Sequence, residues 1–203
     1  KELYSGQVTG ELEGQIIEGK KEGIFFKYFN NGNIHVESNY KNNKAQGQWI
    51  EYFYNGNVLN KKNYNKGKLQ GVYYDYYRIG QLLSKRNYNK GVLEGFSFTY
   101  YKNGQLQSKT YYENGKINGI SLVYHEYEIN KVFQLKVRRF FKHGKAEGKY
   151  FEYHENGKLR AKAFYKNGKL EGEYKKYLRS GTLQTINTYK NGIWQNTKNT
   201  SLE

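Results

Sequence analysis

Four histidines, His35, His125, His143 and His154, are the side chains best suited to acid–base work or metal ligation near neutral pH. His125-Glu126 and His154-Glu155 begin like the His-Glu-x-x-His motif, in which two imidazoles four residues apart hold zinc and the glutamate acts as base. The residues four positions on are Ile129 and Lys158, so neither pair closes a metal site. Both histidines also stand where other units carry Tyr77 and Tyr101, which makes them ring-shaped fillers rather than ligands. The chain has no cysteine, which removes thiolate ligands, cysteine nucleophiles and disulfides together. Gly-Lys pairs recur, as at Gly67-Lys68 and Gly168-Lys169, but none is followed by Ser or Thr in a phosphate-loop spacing. Glu94, Glu147 and Glu171 share one turn column. Acid–base catalysis needs two carboxyls in distinct environments, and these repeat one environment, so they read as solvated turn positions. No catalytic, cofactor or metal residue is expected.

Charge is the remaining chemistry. Lys and Arg number 34 against 18 Asp and Glu, a formal charge of +16. Residues 52–112 hold ten basic side chains with only Asp75 and Glu94 as acids, and residues 131–149 hold seven against Glu147 alone. Lys61, Lys85, Lys109, Arg138 and Lys162 fall in one column. At two strands per unit, successive members would lie about 10 Å apart, one Debye length in physiological salt. Such a stripe suits an acidic protein, an anionic lipid surface or a polyanion. It equally suits a solvated face that discourages edge-to-edge aggregation. Nucleic acid is the least favoured partner, because Arg is scarce and the ladder is too regular for base reading.

The elements that must carry these columns announce themselves by repetition. Gly23, Gly47, Gly71, Gly95 and Gly119 are 24 residues apart, and Gly148 and Gly172 continue the series after a five-residue insertion. Tyr28, Tyr52, Tyr76, Tyr100, Tyr124, Tyr153 and Tyr177 keep the same register, as do Ile34, Val58, Leu82, Leu106, Leu135, Leu159 and Leu183. Each unit offers two short aromatic-rich or alternating segments, such as 72–77 and 81–88, bounded by glycine, and these read as strands. Triplets such as Lys102-Asn103-Gly104 predict three-residue hairpins with the glycine left-handed at Gly80, Gly104 and Gly157. That loop length sets Tyr76 opposite Leu82. Tyr74, Tyr76, Leu82 and Tyr88 share parity and are expected on the buried side, with Ala161, Ala163, Ser108 and Thr110 small enough to let the sheet curl. Apolar residues make up 36% of the chain and aromatic ones 18%, too little for a thick two-layer core and too aromatic for disorder. The fold class is therefore all-β: an elongated single-sheet array of antiparallel β-hairpins, about seven 24-residue units.

The unit YYxNGxL…YKNGKxxG, seen in residues 100–119 and 153–172, resembles the MORN repeat, in particular the bacterial variant found in YwqK-type toxin–antitoxin antitoxins. The resemblance covers residues 18–196 and implies an elongated run of β-hairpins serving as a scaffold. Residues 1–17 read as a degenerate N-terminal cap and 197–203 as a polar tail. Unit five departs from the pattern, with the segment Glu126–Val132 in place of an Asn-Gly turn. Tyr127, Ile129 and Val132 are expected to be exposed there, beside Lys136, Arg138 and Arg139, as an aromatic anchor with a cationic rim. The candidate binding residues are thus Tyr127, Ile129, Lys61, Lys85, Lys109, Arg138, Arg139 and Lys162. Two function classes follow: a monomeric protein-interaction scaffold acting in the antitoxin manner, or a binder of anionic membrane lipid or cell-surface polyanion. The absent initiator Met suggests a trimmed leader, so an exported or cell-surface location is expected over a cytoplasmic one.

Overall fold

The computed structural model describes residues 4–8, 10–127 and 134–199. Among them every regular element is a strand: 21 antiparallel strands in one open sheet, with no helix. The expected repetition is present at the level of hydrogen bonds. In a typical unit the strand Gly71–Tyr76 pairs with Leu82–Asn89, with Tyr76 opposite Leu82 as the loop length requires. Tyr77 N–H donates to Gln81 O and Gly80 N–H to Tyr77 O, both at 2.8 Å. Gly80 closes this turn at φ +94°, and Gly104 and Gly157 take +82° and +77° in theirs. A side chain in this left-handed region strains the backbone, which is why glycine recurs there.

The second turn of each unit is a two-residue hairpin in which both central residues are left-handed, as at Lys66-Gly67 (φ +50° and +80°) and Asn167-Gly168 (+52° and +84°). Positive φ at both positions matches the right-handed twist of the flanking strands. Each such turn is completed by the unit before it. Gly67 N–H donates to Ala45 O at 2.8 Å, Gly91 to Leu69 O at 2.7 Å, Gly168 to Ala146 O at 2.8 Å and Gly192 to Leu170 O at 2.8 Å. Side chains add a second rung: Gln46 accepts from Lys66 N–H at 2.9 Å, Gln70 from Lys90 N–H at 2.9 Å, Glu147 from Asn167 N–H at 2.8 Å and Glu171 from Asn191 N–H at 2.8 Å. Glu147 and Glu171 are therefore not idle solvated turn residues; they hold the next turn's donors. The histidines do similar work at the opposite ends of the strands. His125 Nε2 lies 2.9 Å from Tyr153 O and His154 Nε2 2.9 Å from Tyr177 O, geometry in which each ring donates from Nε2.

The parity argument for the buried face fails in one respect. The register shifts between Asp75 and Tyr76, and the pairing puts Tyr74 opposite Lys85 but Gly71 opposite Tyr88. Tyr88 accordingly stacks with Tyr73, 5.9 Å between ring centres, on the face away from Tyr74. One face carries Tyr73, Asp75, Ser84, Arg86 and Tyr88 and their equivalents; it is the packed face, holding nearly all the fully buried side chains. The other, with Tyr74 and Lys85, is the open face. Ala161, Ala163 and Thr110 do lie on the packed face, at 1%, 8% and 9% exposure.

The chain divides into two compact units, residues 1–95 with 102–104, and 96–101 with 105–203. In the first, Phe25 is 1% exposed. It meets Tyr40 edge-on at 5.4 Å, and a Cβ at Gly14 would collide with its ring. Trp49 continues the aromatic row to Tyr40 and Tyr64 at 5.8 and 5.5 Å. In the second, Tyr150, Ala161 and Ala163 form the apolar centre, packed against Val137, Tyr165, Leu170 and Tyr174. The terminal strand Ile193–Asn199 pairs along Thr185–Lys190, so residues 197–199, expected in the tail, belong to the sheet.

Candidate interaction surface

The open face is built by alternation. Because successive side chains of a strand point to opposite faces, a column of the repeat becomes a row running across the strands. In the first unit the register gives Phe26, Glu37, Ile50, Lys61, Tyr74 and Lys85 as consecutive neighbours. In the second it gives Lys109, Leu122, Arg138, Phe151, Lys162 and Lys175. Within each unit the expected cations, Lys61 and Lys85 in the first and Lys109, Arg138 and Lys162 in the second, are therefore interleaved with apolar side chains at about 5 Å per strand. Lys109 Nζ sits 4.2 Å from the centre of the Phe96 ring and 5.9 Å from that of Phe98, close enough for attraction to the ring faces.

A second row on the same face separates the two units. In the first it reads Ile24, Asn39, Gln48, Asn63, Val72 and Asn87. In the second, Ile120 faces Phe140 and Lys149 faces Phe164. Phe96, Phe140 and Phe164 are 43%, 47% and 44% exposed. Sequence reasoning passed over them because they lie outside the repeated aromatic columns. The signal was present as a contrast: phenylalanine at positions 140 and 164 where other units carry Asn63 and Asn87.

The other candidates are placed differently. Arg139 is on the packed face, opposite Ser121, with its guanidinium 5.1 Å from the centre of the Tyr150 ring. Tyr127, expected exposed, is half-buried: its hydroxyl donates to Gln134 O at 2.6 Å, and Gln105 holds its main chain from both sides at 2.9 and 3.2 Å. A hydroxyl and backbone so engaged make it a brace of the insertion rather than a free anchor. Ile129 and Val132 lie outside the described residues.

The two titration shifts large enough to carry a value, those of Tyr73 and Tyr150, both lie on the packed face. Burial raises the Glu51 carboxyl, but bonds from Lys62 Nζ at 2.6 Å, Asn60 at 2.8 Å and Trp49 Nε1 at 3.2 Å overcome it, and the net displacement is downward. Burial pushes the Tyr73 hydroxyl up to about 12, aided by the Asp75 charge and opposed by Arg86. Tyr150 is likewise pushed up to about 12 by burial and by Glu152, whose carboxylate accepts its hydroxyl at 3.0 Å. Arg86 and Ser84 both engage Asp75, the latter at 2.6 Å. Each of these groups is paired in a structural network, and no group of three or more His, Asp or Glu among the described residues could hold a metal.

Hairpins of one length, stacked through their turns and repeating every 24 residues, have a family counterpart. The model of the MORN repeat variant matches residues 21–42, 45–66, 93–114, 107–125, 146–167 and 170–191. The chain belongs to the MORN repeat variant family. MORN repeats are commonly non-enzymatic interaction or scaffold modules. In this MORN chain the unmatched stretch 67–92 keeps the same hairpin, from Lys68–Leu69 through Leu82–Asn89. No curated protein matches the chain.

Proposed function

We propose that this MORN chain is a non-enzymatic, monomeric scaffold that binds a protein partner across its open face and acts by occupying that partner, in the manner of an antitoxin. The observation that supports this reading is the alternation within each unit: Lys61 and Lys85 flank Tyr74 in the first, and Lys109, Arg138 and Lys162 alternate with Leu122 and Phe151 in the second. Apolar side chains between cations give a partner desolvated contact as well as attraction, a combination typical of specific protein interfaces. The test is to replace all five of these cations with Glu and compare capture of partner from the native cell. The variant should keep its strand circular dichroism and lose capture. Capture at the original level would remove the open face from consideration.

A second reading, binding to anionic membrane lipid or a cell-surface polyanion, draws on Lys61 and Lys85, the cations that the first unit carries on its own open face. It separates from the first by ionic strength. Polyanion binding should fall steeply with added salt, whereas contact centred on apolar groups should fall less.

A further inference from the structure

The open face of the second unit differs from a simple stripe because its two rows alternate out of step. Arg138 and Phe140 lie two apart on one strand, Lys149 and Phe151 on the next long strand, and Lys162 and Phe164 on the one after. The pairings Arg138 with Phe151, Phe151 with Lys162 and Lys149 with Phe164 set each ring beside cations across the ladder and along the strand. The result is a checkerboard of three phenyl rings and three cations. It is hollowed by two depressions of about 380 and 420 Å³ that share Lys149 and Phe151. Glu173, at the rim of one, is bonded to Lys175 at 2.7 Å. The corresponding positions of the first unit hold Lys61, Asn63, Val72, Tyr74, Lys85 and Asn87, which lack both the outer rings and the central cation.

We infer that this checkerboard is the docking centre and that it takes an acidic polypeptide segment whose carboxylates are interleaved with apolar side chains. The inference rests on the protein-partner reading above and narrows it to one patch and one partner chemistry. Charge complementarity selects an acidic segment, since the patch is cationic within a chain of formal charge +16. The rings select against a purely charged ligand: Phe140 and Phe164 remain almost half exposed with no acid between them. An acidic chain without apolar side chains would satisfy the cations and leave the rings in water. Rings set between cations suit the converse pattern, in which apolar groups cover the rings as carboxylates meet the cations.

The probe is a fluorescein-labelled 16-residue peptide, four repeats of Glu-Phe-Glu-Gly, measured by anisotropy against the full chain. The comparison ligands are an eight-repeat Glu-Gly peptide of equal charge, a 16-residue oligothymidylate, and vesicles containing phosphatidylserine. The Glu-Phe-Glu-Gly peptide should bind at least tenfold more tightly than the Glu-Gly peptide. The double variant Phe140→Ser, Phe164→Ser should erase that difference, while Tyr74→Ser in the first unit should not. Circular dichroism melting confirms that each variant is folded; Lys149→Gln, which removes no ring, should weaken both peptides together. Equal binding of the two peptides, or a preference that survives loss of both rings, overturns the inference. Tighter, ring-dependent binding to the oligothymidylate or to the vesicles overturns it as well. If the peptide result fails but the five-fold charge reversal still abolishes partner capture, the scaffold reading stands and only the patch and its chemistry fall. If capture also survives the reversal, the parent reading falls.

Discussion

In the first unit the packed face is held by charge and rings: Lys62, its side chain 11% exposed, bonds Glu51 and lies 5.7 and 5.6 Å from the centres of Trp49 and Tyr73. In the second, equivalent positions hold Ala163 and Tyr150, with hydroxyl pairs such as Thr110–Ser121 at 2.9 Å nearer its start. The open faces differ in the same sense, amide-rich in the first unit and phenyl-rich in the second. The contrast separates two jobs. Turn bonds and register hold the ladder in both units, so each face can change its contents without changing the fold. The first unit, with a buried cation on its packed face, leaves its open face polar; the second, with an apolar cluster at its centre, also shows rings to solvent.

The largest test of this division is Phe25→Ala against Tyr150→Ala. Each removes a buried ring and should cost about 3–5 kcal/mol, read from chemical denaturation. A much smaller loss at Tyr150 would show that the second unit is held by its turns rather than by that cluster.

Breaking one charge pair in each unit should separate them further. Lys62→Met leaves the half-buried Glu51 carboxylate without its cation and should cost about 2 kcal/mol. Arg160→Met removes a cation 57% exposed beside Glu152 and should change stability by less than about 0.5 kcal/mol.

The pH dependence follows the same line. Glu51 has its folded pKa below the ordinary 4.5, so its contribution is present above that value and is lost as pH falls through the folded pKa. Glu51→Gln should therefore flatten the acid limb of the stability curve. Alkali should not discriminate. Tyr73 and Tyr150 are both raised to about 12 from 10.0, so the stability each contributes is intact below pH 10 and lost as pH rises through 12. Phenolate absorbance during titration of Tyr73→Phe and Tyr150→Phe should show equal delays removed from the two units.

Gly80→Val should cost about 1–2 kcal/mol from the left-handed backbone alone, since a Cβ there meets no atom within 4 Å. A loss well outside that range would mean the turn is reshaped rather than strained. Smallest in stability but sharpest in function is the transplant Asn63→Phe, Val72→Lys, Asn87→Phe, which rebuilds the checkerboard in the first unit. These surface changes should shift stability by about 0.5 kcal/mol or less, and the chain should then take up a second Glu-Phe-Glu-Gly peptide. Stoichiometry by calorimetry checks it.

Much of this was legible in the columns. The strand pairs, the Tyr76–Leu82 register and the left-handed Gly80, Gly104 and Gly157 follow from loop length and glycine spacing. The faces were not fully legible, because parity counting assumes an unbroken strand. Between the pairs Tyr76–Leu82 and Asp75–Ser84 one strand has one residue more than its partner, and that bulge puts Tyr88 on the face away from Tyr74 and Tyr76. The roles of Gln46, Gln70, Glu147 and Glu171 were hidden for another reason: their partners lie 20 residues on, in a different turn. Phe140 and Phe164 escaped because periodicity draws the eye to what repeats, and the candidate site lies where the pattern is violated.

Among the described residues, turn after turn finds its acceptors in the unit that precedes it. The rule survives the insertion: His143 N–H reaches back 25 residues to Asn118 at 3.2 Å, because the spacing counts hairpins rather than residues. Assembly thus has a direction. A chain leaving the ribosome N-terminus first presents every new turn to a template already made, and a unit can close as soon as it emerges. Gene duplication inherits the same convenience, since an added hairpin needs only the acceptors left waiting by its predecessor.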